Sequence, residues 1–338
     1  MAELSREPAG RLAADTDEDV QIAEADEAVE RPRARRLDIV GHRNVYFFIS
    51  LIIIVPGILS MVFRGFLLGI DFQGGTEFFL KFQHPVSRQA VEAAVSAQTS
   101  DGLVQQAGDG TFIVRTTLPL DPVAQKQFTD GIQGRVGPLQ GGAPQQVNQI
   151  GGSVAQDIVT GALTAVVLAA GCILLYLAFR FRKVQGGWRA GFQFGGSALL
   201  ALLHDVFLLA GIFSIMGKVF GLRIGEIDSL FLTAVLTVVG FSVHDTIVVF
   251  DRIRENLIVS SRLTFEQVVN LSIMQTAARS IITSFTVVLV LLALLIFGGD
   301  TLKGFVLALL IGIISGTYSS IFNASPLLVV WRRLQPVR

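Results

Sequence analysis

Long apolar runs separated by clusters of charge set the pattern of this chain. Residues 158–179 and 304–331 hold no charged side chain, and each run exceeds the roughly 20 apolar residues that a helix needs to cross a bilayer. Barrel strands would instead alternate apolar and polar positions over about ten residues, and these runs do not alternate. The pattern predicts six membrane-spanning helices, at residues 45–63, 155–179, 192–216, 229–250, 277–297 and 304–331.

Composition places the chain among integral membrane proteins, because 51% of its residues are hydrophobic and only 16% are charged. The first apolar run begins beyond residue 40 and is as long as a spanning helix, which does not fit a cleaved secretion signal. We therefore expect it to be an uncleaved anchor. The expected segments are a tail (1–36), the first helix (37–64), a folded domain (65–152), a five-helix region (153–331) and a C-terminal tail (332–338).

The positions of the basic residues predict the orientation of the chain. Four groups of them flank the predicted helices on the side where both chain ends lie, and the positive-inside rule assigns that side to the cytoplasm. Both termini are therefore predicted to be cytoplasmic. The four groups lie within residues 31–43, 180–189, 252–262 and 332–338.

The N-terminal tail is rich in acidic side chains and poor in bulky apolar ones. Such a composition cannot bury enough surface to offset the entropy of the chain. We therefore expect residues 1–36 to be a disordered cytoplasmic tail. Binding of a basic partner is the alternative for its acidic run.

The stretch of about 90 residues between the first two predicted helices is too long for a simple connection. Residues 76–83 alternate like a strand, residues 87–98 have helical spacing, and residues 111–116 are rich in β formers. A second helix is predicted over 121–136 and a last strand over 145–150. The order β-α-β-β-α-β predicts a ferredoxin-like α+β domain on the periplasmic side. It has no basic patch, so nucleic acid is not expected as a ligand.

Residues that would support catalysis or metal binding are few. Cys172 is the only cysteine and lies within a predicted helix, which excludes an intramolecular disulfide and a paired-cysteine metal site. The four histidines are scattered without metal-ligand spacing, and no glycine-rich segment carries the lysine of a nucleotide-binding P-loop. We therefore expect no enzymatic activity, no cofactor and no bound metal.

Ionisable residues inside the apolar helices are the strongest functional signal, because a charge at membrane depth is costly unless a partner, water or a proton relieves it. Asp205 falls near the middle of the third predicted helix. Asp245 and Arg279 lie at similar depths near the cytoplasmic ends of the fourth and fifth. If these two helices pack as antiparallel neighbours, Asp245 and Arg279 can approach each other and form a pair.

Two interpretations of this pair stay open. In the first, it is a structural ion pair that fixes the register of the two helices, or Arg279 instead extends its guanidinium to the cytoplasmic interface. In the second, it is a switch that responds to protonation. In the switch, Asp245 takes up a proton, Arg279 loses its partner and the helices shift. The adjacent His204 and Asp205 either extend a proton path or satisfy each other and neighbouring helices.

Small residues indicate sites of helix contact and a domain junction. Gly312 and Gly316 would let a neighbouring helix approach closely, while Thr317 and Ser319 would bind across helices or line a hydrated route. The glycines of segment 69–76, between the first helix and the domain, either permit tight backbone turns or form a hinge. The candidate residues of this junction are Gly69, Asp71, Gly74, Gly75 and Thr76.

A capping-box pattern, Thr-Phe-Glu-Gln at residues 264–267, predicts the start of a helix. It precedes the fifth predicted span. We therefore assign it to an interfacial helix on the cytoplasmic side.

Several segments together resemble the SecF proteins of the bacterial SecD/SecF protein-export family, which is related to resistance-nodulation-division transporters. The resemblance covers nearly everything from residue 37 onward. Its most specific segment is the run Asp-Arg-Ile-Arg-Glu-Asn at 251–256, which follows Asp245. The other matching segments are GIDFQGGT at 69–76, IGGSV at 150–154, the His-Asp pair at 204–205, NLS at 270–272 with Arg279, GTYSS at 316–320 and Ala-Ser-Pro at 324–326.

The resemblance implies a six-helix subunit of the bacterial inner membrane that uses proton-motive force to help draw a preprotein across after SecA has begun its export. The implied partners are SecD, the SecYEG channel, YajC, the translocating preprotein and membrane lipid. The resemblance also places Asp245 and Arg279 in a proton pathway, together with an aspartate of SecD. The family commonly has asparagine where this chain has His244, whose imidazole could itself accept protons.

Two function classes therefore remain open. The favoured one is an export subunit coupled to proton flow, with His204, Asp205, His244, Asp245 and Arg279 as candidate pathway residues. The alternative is a proton-coupled half-transporter for a lipid or a small hydrophobic substrate. A substrate pore needs a large porter domain, and about 90 residues in one connection are few for that purpose.

Overall fold

A computed structural model of the chain describes residues 38–107, 109–117, 121–259 and 262–336. The expected acidic tail over 1–36 lies outside the described residues, as do residues 337–338 of the expected C-terminal tail. Within the described ranges, six helices are long and apolar enough to cross a membrane, which confirms the predicted number. These first to sixth spans are Arg43–Arg64, Gly152–Arg180, Gly187–Val219, Ser229–Val259, Phe265–Phe297 and Lys303–Leu334.

The fourth and fifth spans extend beyond their most apolar segments. The fourth continues past residue 250 to Val259, and the fifth begins at Phe265 rather than at residue 277. Thr264 and Gln267 form the predicted capping box at that start. The prediction of an interfacial helix at this point is wrong, because the helix runs unbroken into the fifth span. Polar residues with good helix propensity lower the hydropathy there without ending the helix.

A four-stranded antiparallel sheet and two helices form the domain between the first and second spans, here called the sheet domain. The strand order β2-β3-β1-β4 is that of the predicted ferredoxin-like fold. The strands are β1 (Gly75–Leu80), β2 (Leu103–Gln106), β3 (Phe112–Thr116) and β4 (Gln146–Ile150). The helices are α1 (Arg88–Ser96) and α2 (Pro122–Val136); a short helix, Ile70–Gln73, precedes β1.

The sheet has an apolar face and a charged face. Phe78 of β1 packs in a core with Val91 of α1 and Ile132 of α2. Successive side chains of a strand point to opposite faces, so Glu77 points away from that core. It lies opposite Arg115 in the register of β1 and β3. The face of the sheet that is turned away from α1 and α2 therefore carries a buried pair of opposite charges.

The third, fourth and sixth spans form the centre of the helical region, and the first, second and fifth lie outside them. Glycines allow the central spans to approach closely. A Cβ atom added to Gly312 would lie 2.2 Å from Val238 Cγ2, and one added to Gly316 would lie 3.0 Å from Ser242 Cβ. The sixth span therefore packs on the fourth at a distance that larger residues would not permit.

A π-helical turn interrupts the sixth span at Ser320–Ala324. Such turns often occur at functional sites. Within this turn, Asn323 Nδ2 donates to Ser50 Oγ of the first span at 3.1 Å, and one turn earlier the Tyr318 hydroxyl donates to the carbonyl of Tyr46 at 3.0 Å. These bonds hold the first span against the sixth.

Candidate functional site

Asp205 lies at the centre of the helical region and is only 1% exposed. Its carboxylate accepts hydrogen bonds from Ser242 of the fourth span at 2.7 Å, and from Ser315 and Ser319 of the sixth at 2.7 and 2.6 Å. The neighbouring His204 places its Nδ1 3.0 Å from Asp205 Oδ1. These five residues, here called the Asp205 cluster, join the three central spans through a single carboxylate.

The spacing of small residues explains how this cluster forms. Ser315 and Ser319 are four residues apart and therefore lie on one face of the sixth span. Gly312 and Gly316 allow the fourth span to come close enough for Ser242 to reach the same carboxylate. A carboxylate in apolar surroundings is stable only with such donors. The cluster is therefore well suited to hold Asp205 in one position.

His204 is held in the cluster through one of its two ring nitrogens. Its Nε2 is buried and has no hydrogen-bond partner among the residues that the structure describes, while Nδ1 contacts Asp205. Its ring stacks on that of Tyr318, with 6.3 Å between the ring centroids. The contact with Asp205 and the stacking on Tyr318 therefore fix the orientation of the imidazole ring in the cluster.

Asp245 lies one helical turn after Ser242 in the fourth span, farther along the helix from the sheet domain. It is 4% exposed. Its Oδ2 has no hydrogen-bond partner in the described part of the chain. Ser280 of the fifth span is a polar neighbour. Asp205 has donors on both carboxylate oxygens, so the two buried aspartates have opposite surroundings. An unsatisfied carboxylate oxygen is costly, and a proton would relieve it.

Arg279 and His244 lie on the outer surface of the helical region. Across the described ranges, no ion pair joins Arg279 to Asp245, so the direct contact expected from their depths is not found. The reason is helix geometry. Successive residues of a helix point about 100° apart, and Ser280 rather than Arg279 is turned inward. Arg279 and Asp245 remain close enough for their charges to interact.

Thr317 and Ser319, the other polar candidates of the sixth span, both bond across helices. Thr317 forms a short hydrogen bond with Ser284 of the fifth span. Ser319 donates to Asp205 of the third. Both contacts fit interhelical bonding rather than the lining of a hydrated route.

The junction that leads into the sheet domain is tied to the start of the fourth span. Gly69 N donates to the carbonyl of Ile227 at 2.8 Å. Asp71 Oδ2 accepts a hydrogen bond from the backbone N of Ser229, also at 2.8 Å. Ser229 is the first residue of the fourth span, so movement of that span would displace the junction.

The glycines at the end of the junction have backbone conformations that favour glycine. Gly74 has φ of 73° and Gly75 has φ of 120°, values that other residues rarely adopt. A Cβ at Gly75 would also lie 2.2 Å from the carbonyl oxygen of Thr116. Thr76 follows within β1, opposite Thr116 of β3. Tight turns therefore explain these glycines, and a hinge at this segment stays a prediction.

Sequence reasoning missed three serines of the site: Ser242, Ser280 and Ser315. Serine is common in membrane helices, so residue type alone does not mark a site. The available signals were the four-residue repeat of Ser315 and Ser319 and the position of Ser242 one turn before Asp245. The carboxylate to which each serine donates depends on how the separate spans face one another.

Across the described residues, no group of three or more metal-ligating side chains occurs.

Comparison with known proteins relates this architecture to protein export. The family model described as "Protein export membrane protein SecD/SecF, C-terminal" matches residues 141–334. A second model, "SecD/SecF GG Motif", matches residues 59–86. The second match contains Gly74 and Gly75, so the motif corresponds to the junction described above.

Similar proteins cover most of the chain. Protein translocase subunit SecF of Thermobaculum terrenum is 44% identical over an alignment of 313 residues that covers 87% of this chain and 94% of that protein. Protein translocase subunit SecF of Pseudomonas aeruginosa is 35% identical over 302 residues, 88% of this chain and 92% of that protein.

Two solved structures of SecDF are also similar. SecDF from Thermus thermophilus, a translocon-associated membrane protein, matches 88% of this chain with a TM-score of 0.76 and 31% identity. SecDF in a super-membrane-facing form matches 89% with a TM-score of 0.61 and 30% identity. The chain spans 39% of the length of each SecDF chain.

Proposed function

Because the chain belongs to the SecD/SecF family of protein export membrane proteins, we propose that it works as a SecF subunit of the Sec machinery in the bacterial inner membrane. It pairs with SecD, and the pair attaches to the SecYEG channel, with YajC as a further partner. The assembly uses proton-motive force to promote preprotein translocation after the SecA-driven stage. The basic residues place both termini in the cytoplasm and the sheet domain in the periplasm.

The observation that carries this proposal is the buried carboxylate oxygen of Asp245, Oδ2, that has no hydrogen-bond partner among the described residues. A buried ionisable group with an unsatisfied oxygen inside an apolar helix is a functional-site signal. Asp205 of the adjoining third span, in contrast, has donors on both carboxylate oxygens. Asp245 is therefore the carboxylate that gains most from binding a proton.

The outward-facing polar groups beside Asp245 support pairing with SecD. Arg279 and His244 are exposed on the surface of the helical region, where lipid would leave a charged or polar group unsatisfied. Covering by another helical subunit relieves that cost. We assign this surface of the fourth and fifth spans to SecD, which would place an acidic group of the partner near Arg279.

The proton step changes the balance of charge at this surface. When Asp245 is ionised it attracts Arg279, and when it is protonated that attraction ends. A membrane potential contributes about 2.3 kcal/mol per elementary charge per 100 mV, which is enough to shift a two-state packing of helices. Asp205 acts as the fixed support, because its donors on the fourth and sixth spans hold the central spans together.

The chain itself performs no covalent chemistry in this proposal. Protonation of its buried side chains moves helices, and the sheet domain acts on the emerging polypeptide. Membrane lipid surrounds the outer spans, whose surfaces are apolar and exposed.

The test measures preprotein translocation in vesicles that contain the chain with SecD, SecYEG and SecA, with and without a proton gradient. Asp245→Asn and Arg279→Met are each expected to abolish the gradient-dependent component and to leave assembly with SecD intact. Asp157→Asn, at an exposed position of the second span, is the matched control and should keep that component.

Two results would contradict the proposal. One is gradient-dependent translocation that persists in Asp245→Asn. The other is loss of assembly with SecD in both variants, which would make Asp245 and Arg279 structural. Recovery of the chain from membranes as a self-sufficient homotrimer without SecD would instead support the half-transporter.

A further inference from the structure

Arg115 of β3 lies between two carboxylates that belong to different parts of the chain. Its Nε is 2.7 Å from Glu77 Oε1 of β1, and its Nη2 is 2.6 Å from Glu226 Oε2 in the connection between the third and fourth spans. All three side chains are about nine-tenths buried. Arg223 of the same connection lies 3.9 Å from Glu77 Oε1. The guanidinium of Arg115 thus joins the sheet domain to the helical region, and that of Arg223 makes a longer contact across the same interface.

The burial of this cluster makes its geometry demanding. Charges removed from water are tolerated when they are paired, and removal of one partner leaves an uncompensated charge. Burial raises the pKa of the Glu226 carboxyl, so the ionised form of Glu226 is held at a cost and depends on Arg115. The contact between Arg115 and Glu226 is therefore sensitive to small displacements.

A second set of contacts fastens the same two parts together. Asp71 of the junction binds the backbone N of Ser229, and Leu68 forms a parallel bridge with Ile227. Asp228, which lies between Ile227 and Ser229 in the sequence, accepts a hydrogen bond from Phe231 N at 2.7 Å. It therefore caps the start of the fourth span. The sheet domain and its junction are therefore attached to the N-terminus of the fourth span, the helix that carries Asp245.

The interface is polar and incompletely filled, which allows it to separate. A cavity of about 390 Å³ lies between the sheet domain and the helical region. The apolar core of the sheet domain is closed on itself, with Phe78, Leu80 and Val91 fully buried. Separation would therefore wet charged groups and leave that core intact. The charged residues that line the cavity are Asp71, Glu77, Arg115, Arg223, Glu226, Asp228 and Lys303.

We propose that Arg115, Glu77 and Glu226 form a releasable latch that fastens the sheet domain to the start of the fourth span. Displacement of that span breaks the contact between Arg115 and Glu226 and frees the sheet domain to move relative to the helical region. The latch rests on the proposed function, because it supplies the link between protonation of Asp245 and movement of the domain that meets the polypeptide. Arg115 and Glu226 are positioning residues in this scheme.

The first test measures the position of the sheet domain in the full chain, assembled with SecD in lipid nanodiscs. Spin labels at Lys126→Cys on α2 and Phe220→Cys beyond the third span, both exposed, report the separation in a Cys172→Ser background. Glu226→Leu leaves the Glu77–Arg115 pair inside the domain intact and is expected to add a population at longer distance. The matched control Arg88→Met/Glu92→Leu, a surface pair on α1, is expected to leave the distance unchanged.

A double change tests whether the two charges act on each other. Arg115→Met alone removes the guanidinium that pairs with both Glu77 and Glu226, and we expect it to release the domain as well. In Arg115→Met/Glu226→Leu an apolar contact replaces the pair, so we expect a shift smaller than the sum of the single shifts. Single variants that keep the original distance, or shifts that simply add, would overturn the latch.

Translocation separates failure of the latch from failure of the proposed function. We expect Glu226→Leu to lose most of the gradient-dependent component while gradient-independent translocation stays unchanged. Release of the domain with full gradient-dependent translocation would overturn the coupling role of the latch. Neither result bears on proton use itself, which the Asp245→Asn variant decides on its own.

Discussion

At the scale of single residues, two buried aspartates on adjoining spans differ in what surrounds them. Asp205 accepts hydrogen bonds from three serines and contacts His204. Asp245 keeps one carboxylate oxygen without a partner in the described part of the chain. A carboxylate with donors on both oxygens is held in position, while a buried carboxylate oxygen without a donor is costly and would be relieved by a proton. The site therefore combines an aspartate bonded on both carboxylate oxygens with one that has an unsatisfied oxygen.

The role of Asp205 as a support predicts a loss of stability on its removal. Hydrogen bonds between membrane helices contribute about 0.6 kcal/mol each on average. Asp205→Ala removes three of them and should lower the free energy of unfolding by about 2 kcal/mol, whereas Ser242→Ala should cost about a third of that. Thermal unfolding of the purified chain in detergent measures both. Asp205→Ala as stable as the original chain would contradict the supporting role.

Asp101 of the sheet domain predicts a defined pH dependence. Hydrogen bonds from Thr117 and Thr99 lower the pKa of its carboxyl to about 2. A lowered pKa means that the ionised form stabilises the fold above the usual value of 3.8, and that this stability disappears as the pH falls towards 2. Because Asp101 is exposed, we expect about 1 kcal/mol after solvent screening.

Comparison of the original chain with Asp101→Asn at several pH values measures this contribution. The difference in thermal stability should be full at pH 6 and should shrink as the pH falls from 4 towards 2, because the unfolded chain then binds a proton at Asp101 while the folded chain still resists it. A difference that stays constant over this range would show that the charge of Asp101 does not stabilise the domain.

Single residues also mark the limit of what the sequence could predict at the site. An aspartate inside an apolar run stands out because a buried charge has a high free-energy cost in a membrane, so Asp205 and Asp245 were identified. Serine in a membrane helix has no comparable cost, so the serines around Asp205 were not identified. Arg279 was expected to touch Asp245 because depth alone was known. The direction in which each side chain points is set by helix packing.

At the scale of elements, hydrophobic run length located all six spans but not their true ends. The fifth span begins twelve residues before its predicted start, because apolar run length reports membrane crossing and not helix length. The strand β2 (Leu103–Gln106) was not located at all. It is short and edge-placed, with little apolar alternation to reveal it.

Close packing of the fourth and sixth spans predicts that Gly312 cannot be enlarged without cost. The new methyl group in Gly312→Ala would meet Val238 Cγ2 at 2.2 Å and should push the helices apart. Overpacking of this kind costs about 1 to 3 kcal/mol, and it should also loosen the bonds from Ser315 and Ser319 to Asp205. Thermal unfolding measures the loss.

Gly171→Ala in the second span is the control for this substitution, because a Cβ there has no neighbour within 4 Å. It should leave stability unchanged or slightly raised, since alanine favours helix. Equal effects of the two substitutions would show that the contact at Gly312 does not limit packing.

At the scale of the whole molecule, the helical region and the sheet domain are joined by an ion pair between Arg115 and Glu226. The pattern of apolar runs and strands predicted both parts, because each depends on local periodicity. Their contact was not predicted. Arg115 and Glu226 are far apart in the sequence, and no local pattern connects them. The resemblance to a known family supplied the partners, which the residues alone do not identify.

The attachment of the sheet domain predicts that locking it stops coupled export. Leu68 and Ile227 are partners in a parallel β-bridge, which makes them candidates for an engineered disulfide. Leu68→Cys/Ile227→Cys in a Cys172→Ser background should lose the gradient-dependent component of translocation when oxidised and recover it on reduction. The same cysteines kept reduced serve as the control. Full gradient-dependent translocation with the bond closed would reject movement at the junction.

The protonation state of Asp245 is the quantity on which the account depends. Infrared difference spectroscopy of the chain with SecD in lipid, with isotope-labelled aspartate and with Asp245→Asn to assign the band, reports it directly. We expect the carbonyl band of a protonated carboxyl that rises and falls reversibly with pH and is absent in Asp245→Asn. A carboxylate at Asp245 that stays ionised across the physiological range would contradict the account.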